Sequence, residues 1–448
     1  MIRLFLALSF LSLVLFACEP STQPKNQEER PHIEGPFPKA YPLQGLSATL
    51  VRDSLAVSGG YGSDIYPHPS MPFAYYLLTD RGPNYDYETP DGSEAKGFAI
   101  PDYAPRIGLF QLQDDSLKLI RTILLKNKEG KAITGLPNLP GKGGTNEAAY
   151  GLDGSIIPND PEGIDPEGLV ALEDGSFWVS DEYGPYIMHF DSNGVLLEKI
   201  SPFDSSSSGK ILPAVFSKRR PNRGMEGLTI CPDQTTLVGI MQSAMYNPDN
   251  SVKKNSAVSR ILTLNLTTGA TQQFVYLQQA PSIANSAICA IDTHRFLIIE
   301  RDGLYPPPTG RGTEKHRAQY SQLKSIVEVT LEGATDISDP ENKPNGLMID
   351  SLTIEQLKDA EGLEKAGIVP VKKRVIFSLL DEQLHYPHDK VEGLFYLAQD
   401  TVLGIVNDND FSIDSDGKRL FAKRTLSGEV DQTVLYYFKL PNPPKPAQ

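Results

Sequence analysis

A short motif, Glu-Gly-Leu, recurs along the chain and constrains its fold more than any other feature. It occurs at residues 167–169, 226–228 and 392–394, with a weaker relative at Gln44-Gly45-Leu46. A further copy at 361–363 lies in a stretch whose apolar spacing predicts a surface helix, so it is not part of the repeat. A β-rich run follows each copy and ends in a polar or acidic cluster, and such clusters lie near residues 80, 181, 241, 300 and 408. Two of the spacings are close to 60 residues and two are close to twice 50–54. This pattern predicts a repeated unit of about 50–60 residues.

The segment Asp165–Pro185 is the fullest copy of the unit. Two short apolar runs flank Glu173-Asp174-Gly175, which predicts a pair of antiparallel strands joined by a tight turn. Glu167 precedes the first strand, whereas Asp181 and Glu182 follow the second. An antiparallel turn therefore brings these acids towards the same edge of the sheet.

Four short strands per unit, arranged around an axis, predict an all-β fold, the β-propeller. The 37 Gly and 36 Pro residues suit many short strands joined by turns. Counting two degenerate copies, around 106–133 and around 325–331 with 375–380, gives seven blades, with six as the alternative. A C-terminal strand at 434–438 would complete the first blade, and loops and a short helix near 354–366 would be insertions. Two β-sandwich domains are the competing architecture, but they do not explain the repeated motif.

The innermost strand of each propeller blade runs along a central channel, so a Glu at the start of several such strands predicts a ring of carboxylates. Like charges at short distances repel each other unless a cation neutralises them. Ca²⁺ prefers oxygen ligands, and the seven histidines show no tight zinc spacing. We therefore expect a calcium site on the axis. The alternative is that each Glu only accepts hydrogen bonds from backbone amides of the adjacent blade.

Taken in order, these motifs resemble the phytase-like family, described as having esterase-like activity of phytase. The resemblance covers roughly residues 41–440 and rests on six stretches: Asp165–Leu169, Trp178–Pro185, Asn222–Leu228, Ile299–Asp302, Val391–Leu394 and Asn407–Phe411. It implies a β-propeller that bacteria export and that hydrolyses ester or phosphoester bonds. Fold and family alone do not determine chemistry.

More distantly, the recurring inner-strand Glu is similar to the calcium ligand of propeller lactonases and paraoxonases. This resemblance implies metal ligands at Glu167, Glu226 and Glu392, with Glu300 nearby. Gln44 stands where the first blade is expected to carry Glu, and Ala284-Asn285 stands there in the fifth predicted strand unit. The predicted ring is therefore incomplete, as a single asymmetric metal site requires and as decay of a repeat also produces.

For the chemistry, we expect Ca²⁺ to polarise a phosphoryl or acyl oxygen of the substrate. The carboxylates that would orient or deprotonate water are Asp181, Glu182 and Asp408. The guanidinium groups that would bind an anionic substrate are those of Arg81, Arg223 and Arg301. The absence of a Gly-x-Ser-x-Gly elbow disfavours a serine esterase. The rival functions are a non-catalytic cell-envelope binding propeller with structural calcium and a quinone-dependent sugar dehydrogenase.

The N-terminus resembles a bacterial lipoprotein signal. Arg3 precedes an apolar run at 4–16 that is too short to span a bilayer, and Leu15–Cys18 resembles the lipobox, in which the cysteine is lipidated. We expect a signal peptide at 1–18, a flexible tether at 19–40, the propeller at 41–440 and a disordered tail at 441–448. The protein would then be exported and lipid-anchored to the cell envelope, on the periplasmic or surface face of the outer membrane.

The net charge of −14 argues against nucleic acid as a partner, because that binding relies on Lys and Arg. We expect a monomer that acts on a small ester or phosphoester and contacts the membrane only through its lipid anchor. Cys231 and Cys289 lie in similar contexts of adjacent units, too far apart for a disulfide. We expect both to be free thiols. A disulfide is the alternative for an exported protein.

Overall fold

The computed structural model describes residues 31–52, 55–141, 143–307, 320–381 and 383–444, and its strands form five four-stranded blades. Within each blade, neighbouring strands are antiparallel. The strands are given from the inner to the outer one. The first blade contains Asp64–Pro67, Ala74–Leu78, Arg106–Gln113 and Ser116–Leu124, and the second contains Pro166–Ala171, Phe177–Asp181, Ile187–Phe190 and Leu196–Ile200. The third blade contains Met225–Ile230, Thr236–Met241, Val258–Asn265 and Thr271–Leu277, the fourth contains Ala284–Ala290, Arg295–Arg301, Lys324–Thr330 and Lys372–Ser378, and the fifth contains Gly393–Leu397, Val402–Val406, Val434–Lys439 and Lys39–Gln44.

The five inner strands contact one another in a closed ring, the fifth against the first. Hydrophobic clusters fill the wedges between adjacent blades, for example Leu169 and Val179 of the second blade with Ile107 of the first. The all-β propeller fold is thereby confirmed. The ring surrounds an axis on which the starts of the inner strands converge.

Five blades replace the seven predicted and the six of the alternative. The hairpin within 106–133 is the outer half of the first blade, and the strands near 325 and 375 are the outer half of the fourth. Long insertions, not hidden blades, therefore produce the two wide spacings between acidic clusters. Outer strands resemble independent hairpins in sequence because they carry the same alternation of apolar residues.

The last blade contains both ends of the described propeller. Lys39–Gln44 pairs antiparallel with Val434–Lys439, which in turn pairs with Val402–Val406. Leu43 and Gln44 also pair parallel with Leu117 and Lys118 at the rim of the first blade. The C-terminal strand was predicted to complete the first blade; instead it belongs to the fifth, which the N-terminal strand completes.

Insertions form small additional elements. A separate four-stranded sheet contains Asn84–Glu88, Glu94–Phe98, Ala149–Tyr150 and Ile156–Ile157. Three two-stranded hairpins contain Thr49–Arg52 with Leu55–Val57, Met348–Ile349 with Leu352–Thr353, and Ile413–Ser415 with Leu420–Ala422. Within the described residues, the α-helix is Ala360–Lys365, and the 3₁₀ turns are Ala214–Lys218, Asn250–Val252, Ile354–Leu357, Ala398–Asp400 and Asp410–Ser412. No helix of the described chain combines the length and apolarity needed to cross a membrane.

Close packing between neighbouring blades requires the Gly of the repeated motif. A methyl group on Gly168 would lie 2.5 Å from the amide nitrogen of Leu228, and one on Gly227 would lie 2.7 Å from that of Ile288. The same substitution at Gly393 would place a carbon 2.9 Å from the amide nitrogen of Ile65. Inner strands of neighbouring blades approach so closely at the axis that a side chain does not fit at these positions.

Both cysteines within the described residues are free, as expected. Burial raises the pKa of each thiol, Cys231 and Cys289, to about 12. Neither thiol is therefore activated as a nucleophile. Cys18, the predicted signal peptide and most of the predicted tether lie outside the described residues.

Candidate functional site

At the start of the inner strands, one residue per blade occupies an equivalent position at the axis, and in the second, third and fourth blades this residue forms a β-bulge. Strand pairing skips Glu167 in the second blade, Glu226 in the third and Ser286 in the fourth. In the fifth blade, Glu392 and Gly393 both oppose Val406. A bulge leaves one residue unpaired and re-aims its side chain. We call this set of equivalent positions the bulge ring.

In the first blade, the bulge-ring position belongs to Ser63. Asp64 pairs with Leu78, two residues before Asp80, as Gly168 pairs with Ser180, two residues before Glu182. Asp64 is therefore equivalent to the motif Gly, and the preceding residue, Ser63, is equivalent to Glu167. Gln44, which was expected at this place, lies in the outermost strand of the fifth blade. In the fourth blade, the position is occupied by Ser286, one residue beyond the predicted Ala284-Asn285.

A second set of side chains follows the second strand of each blade. In the second, third and fourth blades, the residue before the bulge pairs with Asp181, Met241 and Glu300, respectively. The residues that follow these three in the chain are therefore equivalent to one another. In the first and fifth blades, the equivalent residues lie two positions after Leu78 and Val406, which pair with Asp64 and Gly393. We call this set the strand-end ring, and it consists of Asp80, Glu182, Gln242, Arg301 and Asp408.

Acids of the second and third blades form a buried group. Asp165, Glu167 and Glu182 offer carboxylate oxygens that all lie within 4.8 Å of one another. Glu182 is hydrogen-bonded to Glu226 and to Asp165, and Gln242 donates a hydrogen bond to Glu226. We call Asp165, Glu167, Glu182 and Glu226 the acidic cluster.

The pKa values in the acidic cluster rise because the charges are buried together. Burial raises the pKa of Glu182 to about 8; Asp165 adds to the shift and Arg81 opposes it. Burial and the neighbouring carboxylates hold the pKa of Glu167 and of Glu226 well above the usual value. Among the residues that the structure describes, no Lys or Arg forms an ion pair with Glu167, Glu182 or Glu226. Such a group of oxygens favours a proton or a cation.

The fourth and fifth blades present paired charges instead. Arg301 donates to Glu392 and, at 2.7 Å, to the hydroxyl of Ser286. The Lys390 ammonium lies 2.7 Å from Asp408 and 2.5 Å from Asp410. The axis therefore has an acidic side and a side on which each carboxylate is matched by a cation.

Arg81 supports the acidic cluster from behind. Its guanidinium lies 3.5 Å from Asp165 and 3.3 Å from Glu147, and donates to Asn222 at 2.9 Å. Because protein acceptors already bind its buried guanidinium, Arg81 is placed to orient Asp165 rather than to bind an anionic substrate. Arg223 is partly exposed and lies beside Arg220, whose pKa it helps to lower.

Asp181 and Glu300 point away from the axis, because the next residue in each strand faces it. Asp181 accepts from the amides of Asp165 and Gly184, each at 2.8 Å, and burial raises its pKa to about 6. Glu300 accepts from the Gln279 amide at 2.6 Å and from the Tyr276 hydroxyl at 3.1 Å. Asp181 therefore contacts the acidic cluster through the Asp165 backbone, whereas Glu300 is bonded to Gln279 and Tyr276 outside it. The roles of Asp181 as catalyst and of Glu300 as metal ligand stay predictions.

Of the predicted site residues, the structure gathers Glu167, Glu226, Glu392, Glu182, Asp408 and Arg301 around the axis. Sequence reasoning missed Asp80, Asp165, Gln242, Lys390 and Ser63. Asp80 and Gln242 belong to strand-end clusters that the repeat already marks, so a stricter alignment of the units would have identified them. No sequence signal marks Ser63, because the true first inner strand lacks the motif.

The chain matches the model of the family "Phytase-like: Esterase-like activity of phytase" over residues 59–411. It is similar to an uncharacterized secreted protein of Arthroderma benhamiae (strain ATCC MYA-4681 / CBS 112371), with 30% identity over 303 residues. That match covers 57% of this chain and 56% of the relative, so it spans little more than half the relative's length.

Loose similarities to solved structures accompany these matches. The luciferin-regenerating enzyme has 8% identity and a TM-score of 0.32, with 85% of this chain and 92% of that chain covered. Pseudomonas fluorescens PhoX in complex with vanadate has 7% identity and a TM-score of 0.31, with 84% and 88% covered.

Proposed function

The chain belongs to the phytase-like family, and from this premise we propose that it is a hydrolase of phosphoester or carboxylic ester bonds that uses a divalent cation, Ca²⁺, at the propeller axis. The observation that carries the proposal is the acidic cluster: Glu167, Glu182 and Glu226 are buried together, and none of them forms an ion pair with a Lys or Arg of the described chain. Buried carboxylates in such a group require neutralisation.

The acidic cluster fits a hard cation. Its donors are carboxylate oxygens, and three of the four residues already offer oxygens within 4.8 Å of one another. Asp165, Glu167, Glu182 and Glu226 would hold the ion. When bound, Ca²⁺ supplies a Lewis acid that polarises a substrate oxygen. Glu392, which the sequence also suggested as a ligand, pairs with Arg301 and would complete the wall of the site.

The opposite side of the axis would bind the anionic part of a substrate. Arg301 and Lys390 both face this side, and the Lys390 side chain is partly exposed. Asp408 would accept the proton of the attacking water, because burial raises its pKa to about 7 while Lys390 opposes that shift. A base whose pKa lies near neutrality is suited to this role. Arg223 remains a candidate for contacts at the rim.

We further propose that the protein is exported and anchored through Cys18. Support comes from the lipobox-like Leu15–Cys18 and from the relative named a secreted protein. In a bacterial host, the full-length chain should incorporate labelled palmitate, and Cys18→Ser should not. Labelling of the Cys18→Ser variant equal to that of the parent would contradict the lipid anchor.

The catalytic proposal is tested with protein that lacks residues 1–18. We expect turnover of an aryl phosphate, a phosphodiester, a carboxylic ester or a lactone with Ca²⁺, and loss of turnover with a chelator. Glu226→Gln should lower turnover on the order of a hundredfold and weaken Ca²⁺ binding, because it removes a charged ligand. Glu300→Gln is the matched control, since Glu300 is also buried but bonded away from the axis.

Equal activity of Glu226→Gln and the parent would contradict the proposal. Tight Ca²⁺ binding without turnover of any of the four substrates would instead support a non-catalytic binding propeller with structural calcium. Ion binding by the acidic cluster is expected for both functions. Turnover therefore distinguishes the two functions.

A further inference from the structure

The hydroxyl of Ser63 is buried at the axis without a hydrogen-bond partner. Its side chain is 1% exposed, and no described protein atom donates to or accepts from Oγ. A buried hydroxyl that makes no hydrogen bond destabilises the folded state. An unpartnered group of this kind in a functional centre indicates an interaction completed by a ligand.

The neighbours of Ser63 keep it in the bulge ring. Gly62 packs on the fifth blade so closely that a methyl group there would lie 2.5 Å from Cα of Asp408. Asp64 accepts from its neighbour Ile65 at 2.8 Å and from Leu169 of the second blade at 2.7 Å. The backbone on both sides of Ser63 is therefore tied to the two blades that flank it. Ser63 lies between the blade of Glu392 and the blade of Glu167.

The other bulge-ring positions have partners or belong to the acidic cluster. Glu167 and Glu226 are members of that cluster, and Glu392 is bound by Arg301. Ser286, the second hydroxyl in the ring, accepts from Arg301 at 2.7 Å. Within the described ring, Ser63 is thus the hydroxyl that remains available to a bound molecule.

We propose that Ser63 is a substrate-binding residue whose hydroxyl donates a hydrogen bond to the phosphoryl or acyl oxygen of the substrate at the axis. This inference rests on the proposed function. A neutral hydroxyl that donates to this oxygen stabilises negative charge on it in the transition state. The hydroxyl stays unmodified in this role, and no base is hydrogen-bonded to it that would activate it as a nucleophile.

The test compares Ser63→Ala with Ser180→Ala. Ser180 is also buried and unpartnered, but its hydroxyl lies behind Gly168 in the second strand of its blade. We expect Ser63→Ala to lower kcat on the order of a hundredfold with little change in Ca²⁺ affinity. Ser63→Thr should recover part of that loss, because it keeps a hydroxyl. Ser180→Ala should stay within about threefold of the parent, since it removes no substrate contact.

A second measurement uses inorganic phosphate as the probe. In the presence of Ca²⁺, Ser63→Ala should bind phosphate on the order of tenfold more weakly than the parent, as loss of one hydrogen bond predicts. Equal kcat and equal phosphate affinity of Ser63→Ala and the parent would overturn the inference while leaving the hydrolase proposal intact. A parent protein that neither turns over a substrate nor binds phosphate would overturn both.

Discussion

Glu182 is the most constrained acid of the axial site, because it is hydrogen-bonded to Glu226 and Asp165 at once. Two carboxyl groups can share a hydrogen bond only when one of them holds a proton. Burial and Asp165 raise the pKa of Glu182 to about 8, so that proton is retained at neutral pH. A proton and a divalent cation are therefore alternative ways of neutralising the same oxygens.

In the presence of a chelator, we expect the free energy of unfolding to fall as the pH rises from about 5 to about 8. The folded protein binds the Glu182 proton more tightly than the unfolded chain does, whose carboxyl has its pKa at 4.5. The stability from this proton is complete below that value and is lost as the pH approaches 8. Thermal melts across this pH range measure the effect.

Added Ca²⁺ should raise the melting temperature more at about pH 8 than at about pH 5, because carboxylate ligands must lose their protons to bind it. Glu182→Gln should weaken the pH dependence, because only Glu167 and Glu226 of the cluster then keep strongly raised pKa values, whereas Glu300→Gln, a buried carboxyl outside the cluster, should preserve it. The assignment of the shared proton would be wrong if Glu182→Gln retained the full pH dependence of the parent.

At the scale of the strand, one bulge serves both packing and chemistry. The motif Gly lets an inner strand approach the next blade, and the bulged residue before it is directed to the axis. Gly227→Ala should therefore destabilise the fold. Its added carbon would lie 2.7 Å from the Ile288 nitrogen and 2.9 Å from Cα of Ala287, both backbone atoms that cannot rotate away. We expect a loss of about 1–3 kcal/mol, measured by urea denaturation.

Gly303→Ala is the control for this substitution. No atom of the described residues lies within 4 Å of the added carbon, and the backbone at Gly303 does not adopt a positive φ. It should change the unfolding free energy by less than about 0.5 kcal/mol. Equal destabilisation by both substitutions would show that the effect reflects loss of Gly in general rather than contact between blades.

The same strand explains what can be predicted from the sequence. Glu-Gly-Leu is a short pattern that recurs once per blade in three blades, so it is sufficient to predict the propeller class and the meeting of Glu167, Glu226 and Glu392. Which inner-strand residue Asp181 and Glu300 oppose depends on the bulge, which shifts the register of pairing with the inner strand by one residue. Without the register of pairing, the sequence cannot distinguish Asp181 from Glu182.

At the scale of the whole molecule, the number of blades is the property that sequence spacing predicts least well. Insertions as long as half a blade, such as the sheet that contains Asn84–Glu88, lengthen two of the intervals. An insertion of this kind and a degenerate blade have the same effect on spacing. The pairing of Lys39–Gln44 in the fifth blade cannot be predicted from sequence spacing either, because it joins residues nearly 400 positions apart.

This closure leads to a prediction about stability. Lys39–Gln44 is the outermost strand of the fifth blade and also pairs with the rim of the first, and Tyr41 packs edge-on against Tyr437 at 5.4 Å. A chain that begins at residue 45 should lose these pairs and expose the Val434–Lys439 edge. We expect its unfolding free energy to fall by about 3–5 kcal/mol, as for deletion of a large buried aromatic side chain, relative to a chain that begins at residue 31.

The measurement is thermal and urea denaturation of the two chains, followed by addition of a synthetic peptide of residues 33–45 to the shorter one. Because the peptide can pair with the open edge of Val434–Lys439, its binding should restore part of the lost stability in proportion to its concentration. A scrambled peptide of the same composition should not. If the shorter chain melts at the temperature of the longer one, the N-terminal strand is dispensable, and the five inner strands alone hold the ring closed.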